Sequence, residues 1–223
     1  GLGDVYKRQK VALLQSSDIH IQSDEDFIIK HQEPFYRSCK ALINECTKLI
    51  VIISGDIAFK GCKEEYDLAY NWLKKCEDSW RDEATFLNSV EYIAVPGNHD
   101  CDFSRQDEVR EIVIGKLSQQ DNVGSGNTIL TCLSVQENFW SFYNRLREDK
   151  LSADISWVHE VQLKQGFSII FNCYNSAFLS QLKEQPGGLI IPQDKFIYKE
   201  RTHPQDVIIS LYHHNTCLLY TSP

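Results

Sequence analysis

The 223-residue chain contains no methionine, no Cys-x-x-Cys pair and no apolar run long enough to cross a bilayer. It also shows no secretory signal, internal repeat or low-complexity segment. Eight cysteines are present, but a disulfide framework is unusual in a chain of this size, so we expect buried free thiols in a reduced compartment. These absences predict a cytoplasmic protein with no membrane partner.

Positive charge is also scarce. The chain has 23 lysine and arginine residues against 31 acidic residues, which gives a net charge of −8. A surface that wraps nucleic acid usually needs a basic face, so this balance makes nucleic acid a disfavoured partner. It does not exclude a substrate phosphate held by metal ions, because the charge of those ions is not part of the count.

The two ends of the chain lack the patterns found between them. Residues 1–9 do not join the first predicted strand, and residues 217–223 stop without a cap. Both segments resemble translated adapter sequence, and we expect them to be non-native tails. Residues 10–216 have the composition of one globular domain, with 42% hydrophobic and 24% charged residues in the whole chain.

The first half of the chain alternates between predicted strands and helices. Three short aliphatic runs, at 11–14, 49–53 and 92–95, are typical of buried parallel strands. Apolar residues at helical spacing predict helices at 33–48 and 63–80 between them. This β-α-β-α-β order predicts a parallel sheet with right-handed crossovers.

The second half mixes both kinds of element. Ser134 and Glu137 have the spacing of a capping box, which predicts that a helix begins there. The elements predicted in this half are helices at 105–117 and 134–149, a loop at 121–128, a strand hairpin at 155–162 and 167–173, and strands at 189–191 and 207–211.

Residues that can bind metal ions follow four of the predicted strands. The carboxyl ends of parallel strands meet at one edge of a sheet, where ligands bind in α/β proteins. Asp18 and His20 can share one ion, Asp56 can bridge two ions, and Asn98 and His213 can bind the second. This mixture of oxygen and imidazole ligands without thiolate favours manganese, iron or zinc.

Such a pair of ions has a recognised chemistry. Two divalent cations about 3.5–4 Å apart lower the pKa of a bridging water and hold the entering and leaving oxygens of a phosphoryl group. His99 can donate a proton to the leaving oxygen, and Asp100 can orient the His99 imidazole. We therefore expect His99 and Asp100 to be the catalytic residues of a metal-dependent hydrolase.

Four motifs occur in a familiar order: Asp18-x-His20, Gly55-Asp56, Gly97-Asn98-His99-Asp100 and His213-His214. Together they resemble the calcineurin-like metallophosphoesterase family over residues 11–214. The resemblance implies an α/β fold, a two-sheet β-sandwich flanked by helices. It implies that Asp18, His20, Asp56, Asn98 and His213 are ligands of two divalent metal ions, and that His99 assists the leaving group. The implied activity is hydrolysis of a phosphate mono- or diester by a hydroxide activated at the dinuclear centre.

Two further expectations follow from the resemblance. The family has a later Gly-His-x-His motif that the chain does not reach, so we expect a C-terminally truncated domain whose last strands are missing and in which each ion lacks one imidazole. The stretch 172–178, followed by Pro186-Gly187-Gly188, resembles the bacterial branch in which this domain precedes a nucleoside-triphosphatase module. Such a module is the expected partner in the parent protein, and a nucleotide is a candidate substrate.

Other interpretations stay open. Each motif alone is more often a turn than a site, and only their order and position favour function. His214 either lines the pocket or points away from it. The alternatives to a phosphoesterase are a nucleotide-sensing or regulatory scaffold domain with little turnover, and a defence nuclease that shares the chemistry but acts on nucleic acid.

Overall fold

The computed structural model describes residues 10–117, 126–164, 166–183, 189–190, 195–215 and 219–220. The tail predicted at 1–9, most of the tail at 217–223 and most of the loop at 121–128 lie outside the described residues. So do Gln165 of the predicted hairpin turn, the Pro186-Gly187-Gly188 string and Ile191.

The first sheet contains three parallel strands, as the sequence predicts, and their order in the sheet is β1-β2-β3. They are β1 (Val11–Ser16), β2 (Lys48–Ser54) and β3 (Ser89–Val95). In the register, Leu13 lies opposite Ile50, and Ile50 opposite Glu91. The central strand, β2, is buried from Leu49 onwards, which explains why its sequence is a continuous aliphatic run rather than an alternating one.

The single helix predicted at 33–48 is wrong. After α1 (Phe27–Lys30), two short helices lie in its place, α2 (Gln32–Ser38) and α3 (Lys40–Ile43). Pro34 gives a physical reason for the break before α2, because it has no N–H for the Lys30 carbonyl and its ring would clash with that carbonyl in a continuous helix. The predicted apolar stripe holds only in part, since Ile43 is buried but Leu42 is exposed.

Longer helices flank the sheet. The helix predicted at 63–80 is confirmed as α4 (Lys63–Glu83), and the one at 105–117 as α5 (Glu108–Leu117) after a short 3-10 turn. Next follows α6 (Gly126–Leu133), so residues 126–128 begin a helix where a loop was predicted.

The predicted capping box at the start of the next helix is wrong. Residues 134–136 form a 3-10 turn, and α7 (Glu137–Arg147) begins after it with Gln136 as its N-cap. The Ser134 hydroxyl donates to the Thr131 carbonyl oxygen (2.9 Å) rather than to an N–H of α7. The preceding helix therefore leads directly into the turn, and Ser134 closes α6 instead of opening α7.

The second sheet comes from the last third of the chain. The predicted hairpin is confirmed as β4 (Ser156–Gln162) and β5 (Ser168–Tyr174), which pair antiparallel. After β6 (Leu189–Ile190), strand β7 (Val207–Leu211) pairs parallel with β5, in the sheet order β4-β5-β7. The short β8 (Leu219–Tyr220) pairs with β6.

One hydrophobic cluster joins the two sheets. It combines β2 and β3 with Trp157 and Phe171 of the second sheet and with the inner faces of α4 and α7. The structure is therefore the predicted α/β fold, with two small sheets and flanking helices. The seven cysteines of the described residues form no disulfide bond with one another, and five of them are buried. No helix in this described part is long and apolar enough to cross a membrane.

Candidate metal centre

The segments that follow β1 and β2 run side by side beyond the ends of these strands. The amide of Asp18 donates to the Gly55 carbonyl oxygen (3.2 Å), and the amide of His20 donates to the Asp56 carbonyl oxygen (2.9 Å). Parallel pairing resumes at Ile21. This continuation of the sheet by isolated hydrogen bonds brings the predicted ligands of the two segments to the same edge.

Three of the predicted ligands have strained backbone conformations. Asp18, His20 and Asp56 have φ values of 55°, 53° and 57°, in the left-handed region that side-chain-bearing residues seldom adopt. In the described part of the chain, Glu148 is the one other residue besides glycine with a positive φ. Each such residue costs about 1–3 kcal/mol, and strain of this kind concentrates at functional sites.

Asp56 lies at the middle of the group. It is buried, and its Oδ1 accepts a hydrogen bond from the His99 amide (2.9 Å). Its Oδ2 lies 3.3 Å from Nε2 of His213 and 3.9 Å from Nε2 of His20. Both carboxylate oxygens therefore face the other predicted site residues.

Two glycines leave the space that this arrangement needs. A Cβ added at Gly97 would lie 2.1 Å from Oδ1 of Asp56, and one added at Gly55 would lie 2.4 Å from Nδ1 of His213. Neither contact is sterically allowed. The glycines in the Gly-Asp and Gly-Asn-His-Asp motifs are thus required by close approach of the ligand side chains.

The side chains form two overlapping sets of candidate ligands. Ligand atoms of His20, Asp56 and His99 lie within 4.8 Å of one another, and the same is true of Asp18, Asp56 and His213. Asp56 belongs to both sets, which is the geometry of a bridging carboxylate. The sets differ from the predicted pairing, because Asp18 and His20 fall in different sets.

His99 takes a place in the first set that the sequence analysis did not give it. Asn98 is partly buried and lines a cavity beside the centre. Asn98 and His99 thus lie together at this edge, and both line the same cavity.

The residues present fit divalent cations. Nδ1 of His20 is buried and has no hydrogen-bond partner among the described residues. A buried polar atom without a partner costs free energy that a cation or another ligand would recover. Carboxylate oxygens and imidazole nitrogens are suitable donors for such ions.

Hydrogen bonding sets the charges of the central pair. Burial alone would raise the pKa of Asp56, but hydrogen bonds from His213 and from the His99 amide lower it. Burial opposes protonation of His213, and its contact with the Asp56 carboxylate outweighs this and raises the His213 pKa to about 9. Asp56 is therefore a carboxylate at neutral pH, as a metal ligand must be.

Backbone carbonyls orient two of the imidazoles. Nδ1 of His213 donates to the Ser54 carbonyl oxygen (2.8 Å), and Nδ1 of His99 donates to the Phe59 carbonyl oxygen (2.7 Å). In both rings this leaves Nε2 for a ligand, which is a common arrangement for metal-binding histidines. Phe59 was not predicted to take part in the site.

Asp100 does not orient His99 as the sequence analysis expected. Its carboxylate is fully buried and accepts from the amides of Asp56 (2.7 Å), Gly97 (2.9 Å) and Ala58 (3.1 Å) and from the hydroxyl of Tyr66 (3.1 Å). Burial raises the Asp100 pKa to about 6. These hydrogen bonds join the loop after β2 to the loop after β3, so the role of the Asp100 carboxylate is structural.

Ser176 is a second residue that the sequence analysis missed. Its Oγ lies 3.3 Å from the amide of His213, 3.2 Å from the amide of His214 and 2.9 Å from Nδ1 of His214. His214 is buried and faces Ser176, so it lies behind His213 rather than among the candidate ligands. No spacing in the sequence links position 176 to a motif 37 residues later.

In this α/β fold, carboxylates and imidazoles gather at strand ends around one shared aspartate. This arrangement is typical of metal-dependent hydrolases. The family model for calcineurin-like phosphoesterases matches residues 12–215, and the chain therefore belongs to this family. A search of curated protein sequences found no significant match. Members of the family are generally hydrolases that act on phosphate esters with divalent metal ions.

Proposed function

We propose that the chain hydrolyses phosphate mono- or diesters at a centre of two divalent cations that share Asp56. The observation that carries this proposal is the membership of Asp56 in both candidate ligand sets. The strained backbone at Asp18, His20 and Asp56 supports it, because the fold keeps three unfavourable conformations where the ligands meet.

The predicted roles of the site residues follow from their places. Asp18 and His213 would hold one cation and His20 the other, and Asn98 would supply a neutral oxygen from the cavity side. Cations bound here would polarise the phosphoryl oxygens and lower the pKa of a bound water. Because Nδ1 of His99 donates to the Phe59 carbonyl oxygen, the protonated ring would donate a hydrogen bond or proton from Nε2 to the leaving oxygen.

The test uses two chromogenic esters, bis(4-nitrophenyl) phosphate and 4-nitrophenyl phosphate, with added Mn²⁺. We expect release of 4-nitrophenolate that a chelator abolishes. Asp56→Asn should lower turnover by at least about a hundredfold and reduce the number of bound ions, because it removes the charge between the two positions. Asp82→Asn is a matched control on the exposed surface of α4 and should leave both readouts unchanged.

Two results would contradict the proposal. Full turnover in Asp56→Asn would show that the shared carboxylate is not part of the mechanism. Stoichiometric cation binding without turnover of either ester would favour the regulatory alternative.

Metal identity is part of the proposal. Elemental analysis of the purified protein would distinguish manganese, iron and zinc, and a thiolate-selective metal such as copper(I) would contradict the oxygen and imidazole ligand set.

A further inference from the structure

A cavity of about 480 Å³ adjoins the candidate metal centre. Asn98 and His99 form its wall toward the centre, and Phe59, Phe103 and Leu182 give it an apolar lining. The volume is in the range of pockets that hold small organic ligands. A site that received only inorganic phosphate would have no use for this apolar surface.

The walls of the cavity are fastened to each other. The side-chain amide of Asn138 donates to the Gly61 carbonyl oxygen (2.9 Å) and to Oδ2 of Asp102 (3.2 Å). Oδ1 of Asp102 accepts from the backbone N–H of Ser104 (3.1 Å). A Cβ at Gly61 would lie 2.7 Å from the Cys101 carbonyl carbon, so the two loops touch through their backbones. The cavity is therefore a preformed part of the fold.

Flat aromatic surfaces lead from the centre into the cavity. The Phe59 ring lies 5.3 Å from the His99 ring, with their planes 32° apart, and Phe103 lines the same space. Leu182 keeps 77% of its surface exposed although it is a large apolar side chain. A planar apolar group that covers these surfaces removes a large apolar area from water and is therefore the kind of ligand they favour.

One cationic side chain, that of Lys60, also lies at this cavity. It is exposed and forms no ion pair with the described residues. In a chain of net charge −8, an unpaired lysine beside the centre offers one favourable contact for a phosphate ester anion.

We propose that the substrate carries a flat aromatic ring, which occupies this cavity while the phosphoryl group lies at the metal centre. The inference rests on the proposed phosphoesterase function and names the class of ester. The shared chemistry is a planar apolar ring, which either a nucleobase or a phenolic group supplies.

The test measures binding rather than turnover. Phosphonates cannot be hydrolysed as esters, so we would titrate the full chain with methylphosphonate, phenylphosphonate and the 5′-phosphonate analogue of thymidine in the presence of Mn²⁺, using calorimetry. Stacking of a ring on aromatic side chains predicts at least about tenfold tighter binding of a ring-bearing ligand than of methylphosphonate.

Variants connect this preference to the cavity. Leu182→Ala and Phe103→Leu should each reduce the ratio of the affinities for ring-bearing ligand and methylphosphonate by about threefold or more. Leu130→Ala is the matched control, because Leu130 is also an exposed leucine, lies on α6 and does not line the cavity, and it should leave the ratio unchanged.

Each outcome decides between the possibilities. A tight thymidine phosphonate identifies nucleoside esters, and a preference for phenylphosphonate alone identifies phenolic esters. Equal affinities for all three ligands, or a preference that survives both cavity variants, would overturn the inference, whereas chelator-sensitive ester turnover would keep the proposed function. A ring preference without such turnover would refute the phosphoesterase function and retain the cavity as a ring-binding site.

Discussion

Two carboxylate–histidine pairs in this molecule have nearly the same separation and opposite surroundings. Asp56 and His213 lie 3.3 Å apart at the end of the first sheet, and Glu91 and His159 lie 3.2 Å apart between β3 and β4. Glu91 is also paired with Lys48, and Nδ1 of His159 accepts from Arg147 (2.8 Å). The second pair is thus a completed ion-pair network.

The Asp56–His213 pair has different neighbours. Among the described residues, no lysine or arginine forms an ion pair with Asp56, and the groups around it are other candidate ligands: His20, His99 and Asp18. Its backbone is strained, whereas Glu91 lies in regular strand. The comparison shows that a carboxylate–histidine pair indicates a metal site when its neighbours are further candidate ligands rather than lysine or arginine and its backbone conformation is unfavourable, not when the pair is merely close.

The largest effect is expected when an added methyl group crowds the carboxylate of the Asp56–His213 pair. Gly97→Ala places a Cβ 2.1 Å from Oδ1 of Asp56, so the carboxylate must move and the affinity for Mn²⁺ should fall by more than about tenfold. Calorimetric titration with Mn²⁺ measures this effect.

Gly115→Ala supplies the control for this prediction. Apart from the backbone of α5 itself and the two chain neighbours, no atom of the described residues lies within 4 Å of a Cβ at Gly115, and this variant should keep the affinity and gain up to about 1 kcal/mol of stability from its higher helix propensity. Unchanged Mn²⁺ affinity in Gly97→Ala would show that Oδ1 of Asp56 is not a ligand.

The next effect concerns the buried carboxylate behind the centre. Asp100→Asn turns an amide NH₂ toward N–H donors that now share a carboxylate, so it should lower the free energy of unfolding by about 3 kcal/mol. Tyr66→Phe removes one hydrogen bond to the same group and should cost about 1 kcal/mol. Urea unfolding measures both, and equal small losses would contradict the structural role of Asp100.

The third prediction concerns the contribution of Glu91 to stability at different pH values. Its hydrogen bond with His159 and its pairing with Lys48 lower the Glu91 pKa from 4.5 to about 2. Because the folded-state pKa is depressed, this contribution to stability is fully present above about pH 4.5 and is lost as the pH falls toward 2.

Glu91→Gln should therefore lower the free energy of unfolding by about 2 kcal/mol at pH 7 and flatten its pH dependence between 4.5 and 2. Glu45→Gln, in an exposed pair with Lys10, is the control and should leave the free energy of unfolding nearly unchanged. Turnover by Glu91→Gln should stay within about twofold, and a hundredfold loss would refute the distinction between the two pairs.

The sequence predicted the first pair better than the second. Asp18, Asp56 and His213 could be found because each follows an aliphatic run, and the ends of such strands meet at one edge of the sheet. Glu91 and His159 are 68 residues apart on strands of different sheets, and no motif marks them. Contacts between distant surfaces depend on how the sheets pack, which a single sequence does not reveal.

The same limit explains the errors nearer the site. Asp100 belongs to a motif, but the direction of its side chain follows from loop packing, so its predicted contact with His99 was wrong. The helix predicted at 33–48 breaks at Cys39, where neither proline nor glycine marks the break, and Pro34 explains only the separation of α2 from α1. The capping box failed because Ser134 also has the Thr131 carbonyl within reach from the preceding helix.

The smallest expected effect tests whether strain at the site differs from strain elsewhere. Glu148 ends α7 with a φ of 59°, and its side chain is exposed. Glu148→Gly should raise the free energy of unfolding by up to about 1 kcal/mol, because glycine adopts this conformation without steric cost. His20→Gly relieves similar strain but removes a candidate ligand, so it should weaken Mn²⁺ binding. If thermal unfolding and Mn²⁺ titration showed the same response in both variants, the left-handed residues at the centre would be ordinary turn residues. Weaker Mn²⁺ binding in His20→Gly alone would instead show that this left-handed residue supplies a ligand and is not an ordinary turn residue.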